Sequence, residues 1–328
     1  MKQRLVYLFV LVPSLLFSQL RFIKDTIQMQ GDSVVVTANR TERKLSNVTV
    51  PVNIVNAKQI QQTGSLRLTD ILKEQPGLSI TSGFGAGVQL QGLNPDYTII
   101  LINGEPLVGR TAGVLDLNRI ALGNIKKIEI VKGPSSSLYG SEAMAGVINI
   151  ITDATTAIPL QASVRFGTYK TLDANMNNAI ASKSIFYQGF YNYYSTNGYS
   201  IRPNSNSRVT TPIDRFATNQ QLKVNLTDNT NLSFGIRLTD EKIKNDISVS
   251  NGGATITSNG KEHNTDQNLN LTLNHRFSNK LKTSFRGYST EYNSKQDLVT
   301  VTGAPYYDLL NHLFQRLENQ TDWNINKK

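Results

Sequence analysis

Leu160-Gln161-Ala162-Ser163-Val164-Arg165-Phe166 is the stretch on which the reading of the fold turns. Its apolar residues share one face of an extended chain, while Gln161, Ser163 and Arg165 share the other. That two-residue period belongs to a strand separating two environments. The period returns at Leu222/Val224/Leu226, at Leu232/Phe234/Ile236/Leu238 and at Leu269/Leu271/Leu273. Opposite these positions lie Lys223, Asn225, Ser233, Arg237, Asn268, Asn270 and Thr272. Polar turn clusters such as Asp228-Asn229-Thr230 separate the segments. Roughly eight or nine strands of about ten residues fit between residue 155 and Lys328.

A lipid-facing band around a polar lumen produces this alternation, and so does a soluble β-sandwich. Two features favour the barrel. The inward faces carry Lys, Arg, Asn and Gln together, which suits a lumen, and Tyr187, Tyr191, Tyr193 and Tyr194 crowd segment ends where interfacial girdles sit. The chain stops straight after the alternating Leu313, Leu317, Trp323 and Ile325, so the expectation for 155–328 is the N-terminal part of a truncated barrel with an open edge.

Upstream the pattern is different. Residues 45–153 read as a compact α+β unit. Thr49 to Val55 alternates into a strand, Asn56 can cap a short helix through Thr63, and Gly64 stops it. A second helix places Leu68, Ile71 and Leu72 on one face and ends at Pro76-Gly77. Tyr97 to Ile102 is an apolar run closed by Asn103-Gly104, a buried strand entering a turn. Ile125 to Val131 predicts a half-buried strand interrupted by Lys127 and Glu129; Pro134 starts a helical turn that Gly140 closes, and Val147 to Ile151 is the last strand.

At the N-terminus, Lys2 and Arg4 precede an apolar run from Leu5 to Phe17, and Ser18 offers a small residue before a cut ahead of Gln19. This is the build of a secretory signal peptide over residues 1–18, too short for a spanning helix. Export disfavours nucleic acid as the partner of a chain with 34 Lys+Arg, 24 Asp+Glu and a net charge of +10. Anionic lipid or an anionic ligand suits that charge better, although the basic residues form no run and a scattered solvated surface explains them equally. Cysteine is absent, so neither disulfides nor thiolate chemistry are available.

Three segments carry a family resemblance. Asp32-Ser33-Val34-Val35-Val36-Thr37-Ala38 resembles the TonB box, the coupling peptide of TonB-dependent outer-membrane receptors. Tyr97 to Gly104 is similar to the central strand and turn of their plug domain. Ile128 to Ser141, continuing from Ala145 to Thr152, is similar to the plug's most characteristic stretch. Asn103 stands where the family usually has aspartate, and asparagine supports the same turn. The resemblance implies an α+β plug domain (45–153) after a flexible leader (19–44), followed by an antiparallel transmembrane β-barrel. It implies an outer-membrane importer of a ferric siderophore or haem, or alternatively of cobalamin, driven through TonB. The shortness of the stretch between residue 18 and Asp32 disfavours a signalling receptor with an added periplasmic domain. A secreted β-rich binding protein remains the rival from another class.

Strand addition to a partner's sheet edge fits Asp32 to Ala38, because three consecutive valines favour an extended chain and main-chain hydrogen bonds carry such pairing. By resemblance, Gly83, Phe84, Gly85 and Ala86 form one apical loop facing the ligand, and Arg110 with Thr111 belongs to a second. Arginine offers a carboxylate or catecholate paired, charge-assisted hydrogen bonds, and an ion pair with Glu105 or the barrel wall is the competing role for Arg110. Gly-x-Ser-x-Gly is missing, and His263, His275 and His312 are dispersed. The expectation is no enzyme, no cofactor and no metal site; the metal-chelate or vitamin would be cargo.

Overall fold

The computed structural model describes residues 35–36, 43–44, 51–64, 67–83, 85–111, 113–134, 139–152, 160–199, 211–251, 254–300 and 306–323. Asp32 to Val34, Thr37 and Ala38, the leader before them, and Phe84 lie outside these, as does most of the turn expected between Pro134 and Gly140. Strands β1 (Val35–Val36) and β2 (Arg43–Lys44) form a short antiparallel pair, with Val35 opposite Lys44.

The N-terminal fold starts with β3 (Val52–Asn56), which runs straight into helix α1 (Ala57–Thr63). The Asn56 side chain accepts from Gln59 N at 2.9 Å, Gln59 reciprocates at 2.9 Å, and Gly64 closes the helix in the left-handed region at φ 64°. Such a cap satisfies donors that the first turn cannot. Helix α2 (Leu68–Lys73) buries Leu68, Ile71 and Leu72 as their spacing predicts. A hairpin follows, β4 (Leu78–Gly83) and β5 (Gly85–Leu90), then β6 (Thr98–Ile102) and β7 (Glu105–Pro106). The two residues between β6 and β7, Asn103 at φ 54° and Gly104 at φ 83°, both need the left-handed region, which Asn-Gly tolerates. Short β8 (Arg110–Thr111) and β9 (Val114–Leu115) precede β10 (Ile125–Lys132) and β11 (Gly146–Thr152).

The central sheet has the order β3-β10-β11-β6-β7, with β11 parallel to β6. One face packs Ile128, Ile130, Ile148 and Ile150 against the helices; the other gathers Ile99, Leu101, Val131 and Val147. Each such side chain contributes about 1.5–3 kcal/mol on burial. Burial of both faces makes the isoleucine-rich runs continuous rather than alternating. Glu129 is completely buried instead of lining a half-exposed strand, and Lys127 neutralises it at 2.6 Å.

From Leu160 onward the chain forms one eight-stranded sheet in strict sequence order, every neighbour antiparallel. Its members are β12 (Leu160–Gly167), β13 (Thr171–Ala181), β14 (Ile185–Thr196), β15 (Ile213–Thr227), β16 (Thr230–Asn251), β17 (Ala254–Arg276), β18 (Leu281–Thr300) and β19 (Tyr306–Trp323). Exposure is inverted on this wall. Leu269, Leu271 and Leu317 stand open at 48%, 49% and 91%, while Arg215, Glu241, Asp266 and Asn268 are buried on the opposite face. An apolar outside and a polar inside make a sheet suited to hydrocarbon around a lumen. Among the described residues no helix is long and apolar enough to cross a membrane.

Two expectations need correction. The Gly83–Gly87 stretch is not a loop, because Gly83 and Gly85 to Gly87 are paired residues of the β4–β5 hairpin. The second concerns the tyrosines: Tyr187 lies near the start of β14 and Tyr193 and Tyr194 near its end, but alternation turns Tyr194 inward while Tyr187, Tyr191 and Tyr193 face out.

Candidate functional site

The two stretches expected at the apex come together. Asp116 accepts from Ala86 N at 3.0 Å and from Asn118 N at 3.1 Å, tying the hairpin to the segment that follows β9. Gly85 sits at φ 102°, and a Cβ there would lie 2.6 Å from that of Asp116, so no other residue fits this crossing. Arg110 spends its guanidinium on three carbonyls: Pro95 at 2.9 Å, Gly113 at 3.1 Å and Thr98 at 2.8 Å. Burial lowers its pKa, and Glu142 and Asp96 pull the other way. The geometry therefore gives Arg110 an ordering role, tying its own hairpin to the 95–98 segment. Glu105 is not its partner, since Glu105 pairs with Arg316 on β19 at 2.5 Å.

Sequence reasoning missed the contact between the N-terminal fold and the wall. Arg67, at the entry to α2, lies 4.0 Å over the Tyr194 ring and 3.9 Å from Asp173. Its pKa is pushed down to about 10, first by burial and then by Arg215, whose charge approaches from the wall. Arg215 also faces the Tyr194 ring at 6.0 Å, donates to the Asn118 carbonyl at 2.6 Å and forms an ion pair with Glu241. Asn264 donates to the same carboxylate at 3.2 Å, while Asn192 supports Asp173 at 2.7 Å. An aromatic ring near both guanidinium groups offsets part of their repulsion through its electron-rich face.

Further contacts run along the seam. Arg119 stacks over Tyr292 at 4.8 Å, and Gly109, at φ 93°, comes so close to that ring that a Cβ would overlap it. Tyr288 donates to the Pro106 carbonyl at 2.7 Å and Gln221 to Thr152 at 3.2 Å. Between the Asn103-Gly104 turn and the wall lies a cavity of about 430 Å³, lined by Thr152, Arg237, Asn268, Asn270 and Arg286 among others. Polar side chains dominate it, consistent with water rather than a packed core. The seam shows no local sequence signal, because its partners lie 69 to 211 positions apart; only the excess of inward cations hinted at it.

Among the described residues no group of three His, Asp or Glu side chains is placed to hold a metal ion. His263 is held by Asp240 at 2.9 Å and His275 by Thr230 at 2.9 Å. Of the expected coupling peptide only Val35 and Val36 are placed, in the pair already described.

Comparison with known proteins agrees with this architecture. Residues 44–147 match the TonB-dependent Receptor Plug Domain family. The chain is 38% identical over 126 residues to the vitamin B12 transporter BtuB of Vibrio vulnificus, covering 37% of this chain and 21% of that protein. It is 34% identical over 179 residues to BtuB of Vibrio cholerae, covering 52% of this chain and 29% of the relative. The chain thus spans less than a third of these relatives' length. Among solved structures, the ferric-catecholate import receptor Fiu of E. coli superposes with a TM-score of 0.65 at 15% identity, covering 87% of this chain and 48% of that one. The siderophore receptor PiuA of Acinetobacter baumannii gives 0.65 at 14%, covering 82% and 40%. At such identities the likeness is one of fold.

Proposed function

We propose, on the premise that the chain belongs to the TonB-dependent receptor family, that it serves an outer-membrane transporter importing a scarce metal chelate or vitamin. One observation carries this reading: a plug domain is fastened by polar and cationic side chains to the inner face of a sheet whose outer face is apolar. A passive pore has no use for such a fastening. The work is mechanical, and the residues described so far supply binding, obstruction and release without covalent chemistry.

The cargo reading has two branches. A ferric siderophore or haem follows from the family's general habit, and cobalamin is favoured by a specific observation, the 38% identity to a vitamin B12 transporter. The Gly83–Ala86 hairpin tip and the Arg110-Thr111 strand would meet the cargo at the plug apex, with Arg110 holding Thr111 and its neighbours in place. Asp32 to Ala38 would be the segment that TonB captures, delivered to the periplasm behind a cleaved signal peptide.

Deleting the gene and supplying labelled ferric siderophores, haem and cobalamin separately tests the reading. Loss of one uptake identifies the branch, and uptake of all three at wild-type rates would refute the transporter. Val35→Pro should abolish energised uptake while leaving ligand binding intact, because proline removes a main-chain donor that strand addition needs. Normal uptake by that variant would remove the coupling role.

A further inference from the structure

The cavity between the Asn103-Gly104 turn and the wall holds hydrogen-bond donors that the fold leaves unused. On the inward face, register sets Arg237 of β16 opposite Asn268 of β17, and Gly235 opposite Asn270. Asn270 in turn faces Tyr288 of β18, and Thr272 faces Arg286 one inward row further along. Arg237 and Arg286 are therefore diagonal neighbours of Asn270, each about 7–8 Å away across the strands, a span that long side chains cover. A Cβ on Gly235 would lie 2.5 Å from Asn270 Nδ2, so glycine there lets the amide lie against β16. Arg237, Asn268, Asn270 and Arg286 all line the same cavity of about 430 Å³.

Charge on this part of the wall is balanced, but hydrogen bonding is not. Asp266 stands 3.5 Å from Arg237, and Glu318 stands 3.5 Å from Arg286. Charge-assisted hydrogen bonds close to about 2.7–2.9 Å, so both pairs are attractions at a distance that leave guanidinium donors to spare. Among the described residues the Arg237 Nε has no hydrogen-bond partner, and neither has the amide nitrogen of Asn268, a residue only 5% exposed. Buried donors in folded proteins are paired with few exceptions, and each exception calls for a reason. The carboxylate on the lining, Glu105, is already held by Arg316 at 2.5 Å. Donors from three adjacent strands thus face one space, and the fold does not use them up.

We propose that Arg237, Asn268, Asn270 and Arg286 form a binding site for a small oxyanion, a phosphate or carboxylate group, lodged between the plug turn and the wall. Each guanidinium presents parallel N–H donors that engage two oxygens of such a group at once, a match that a single water does not make. The amides of Asn268 and Asn270 complete a donor set drawn from β16, β17 and β18. This chemistry has two sources. Free phosphate would be a resident bridge between wall and plug, whereas a phosphodiester or carboxylate carried on the cargo would make the cavity a stop on its way past the plug. The site goes beyond the transporter reading, and its free-anion form does not depend on that reading.

The chain has no cysteine, so one introduced thiol reports on the cavity alone. Thr272, which lines it, is changed to cysteine (T272C), labelled with a trifluoromethyl group and read by fluorine NMR in the full chain folded in detergent micelles. Inorganic phosphate and cyanocobalamin, which carries a phosphodiester, are titrated separately. A saturable shift with phosphate assigns the free anion, and one with cyanocobalamin alone assigns the cargo group. The R237Q/R286Q variant should bind the effective probe at least about tenfold more weakly. Asn270→Ala keeps both arginines and should bind it about fivefold more weakly, so it decides the matter if the double variant does not fold. No saturable shift with either probe, or equal shifts in wild type and variants, overturns the proposal. A shift that grows without saturating also overturns it and marks an adventitious ion only. Normal uptake after gene deletion would remove the transporter reading and leave the phosphate result standing.

Discussion

The plug sheet and the wall use the same strand chemistry to opposite ends. In the plug, β10 and β11 bury isoleucine on one face and valine on the other, and the charged Glu129 is tolerated only beside Lys127. In the wall, leucines on β17 stand open while Asn264, Asp266 and Asn268 of the same strand are buried. Burial in the first case excludes water from apolar groups. In the second it brings polar groups of the wall against polar groups of the plug. Hydrophobicity therefore predicts burial for one region and exposure for the other, and only the environment beyond the sheet decides which applies.

That contrast can be broken at the seam. Arg215→Ala leaves Glu241 buried without its counterion and removes the donor to Asn118, so a loss of about 3–5 kcal/mol is expected. Urea titration of the refolded protein measures it, and adding Glu241→Gln should recover much of the loss. A cost near zero would mean that wall and plug are not fastened there.

Neighbouring positions sharpen the contrast further. Leu271 faces outward and Thr272 lines the inner cavity. Leu271→Arg should cost about 2–4 kcal/mol for protein folded into a bilayer, whereas Thr272→Arg should cost far less. Equal costs at the two sites would contradict the assigned faces. At the small end, Asn56→Ala removes the cap of α1 and should lower plug stability by about 1 kcal/mol, read by hydrogen exchange of the α1 amides, with no effect on the wall.

Much of the plug was legible because its signals are local. The Asn56 cap, the Gly64 stop, the Leu68/Ile71/Leu72 face and the Asn103-Gly104 turn each lie within a few residues of the structure they specify. The wall was legible because alternation persists over eight strands. The β4–β5 hairpin was missed because its glycines lower strand propensity, and they are needed where Gly85 crosses Asp116. The Arg67–Tyr194–Arg215 contacts depend on residues far apart in sequence, and the clamp of Arg110 on the carbonyls of Pro95, Thr98 and Gly113 uses backbone groups that carry no side-chain signature. No periodicity marks such partners in advance.

The unbroken pairing of β16 with β17, from Thr230 opposite His275 to Asn251 opposite Ala254, has a consequence for assembly. A slip of one residue would turn one strand over against the other; for β16 it would send Arg237 and Glu241 to the apolar face and Phe234 to the polar one, all at once. The cost of such an error would grow with every added rung. The length of these strands thus fixes the alignment: the longer the ladder, the larger the gap between the correct register and its nearest neighbour.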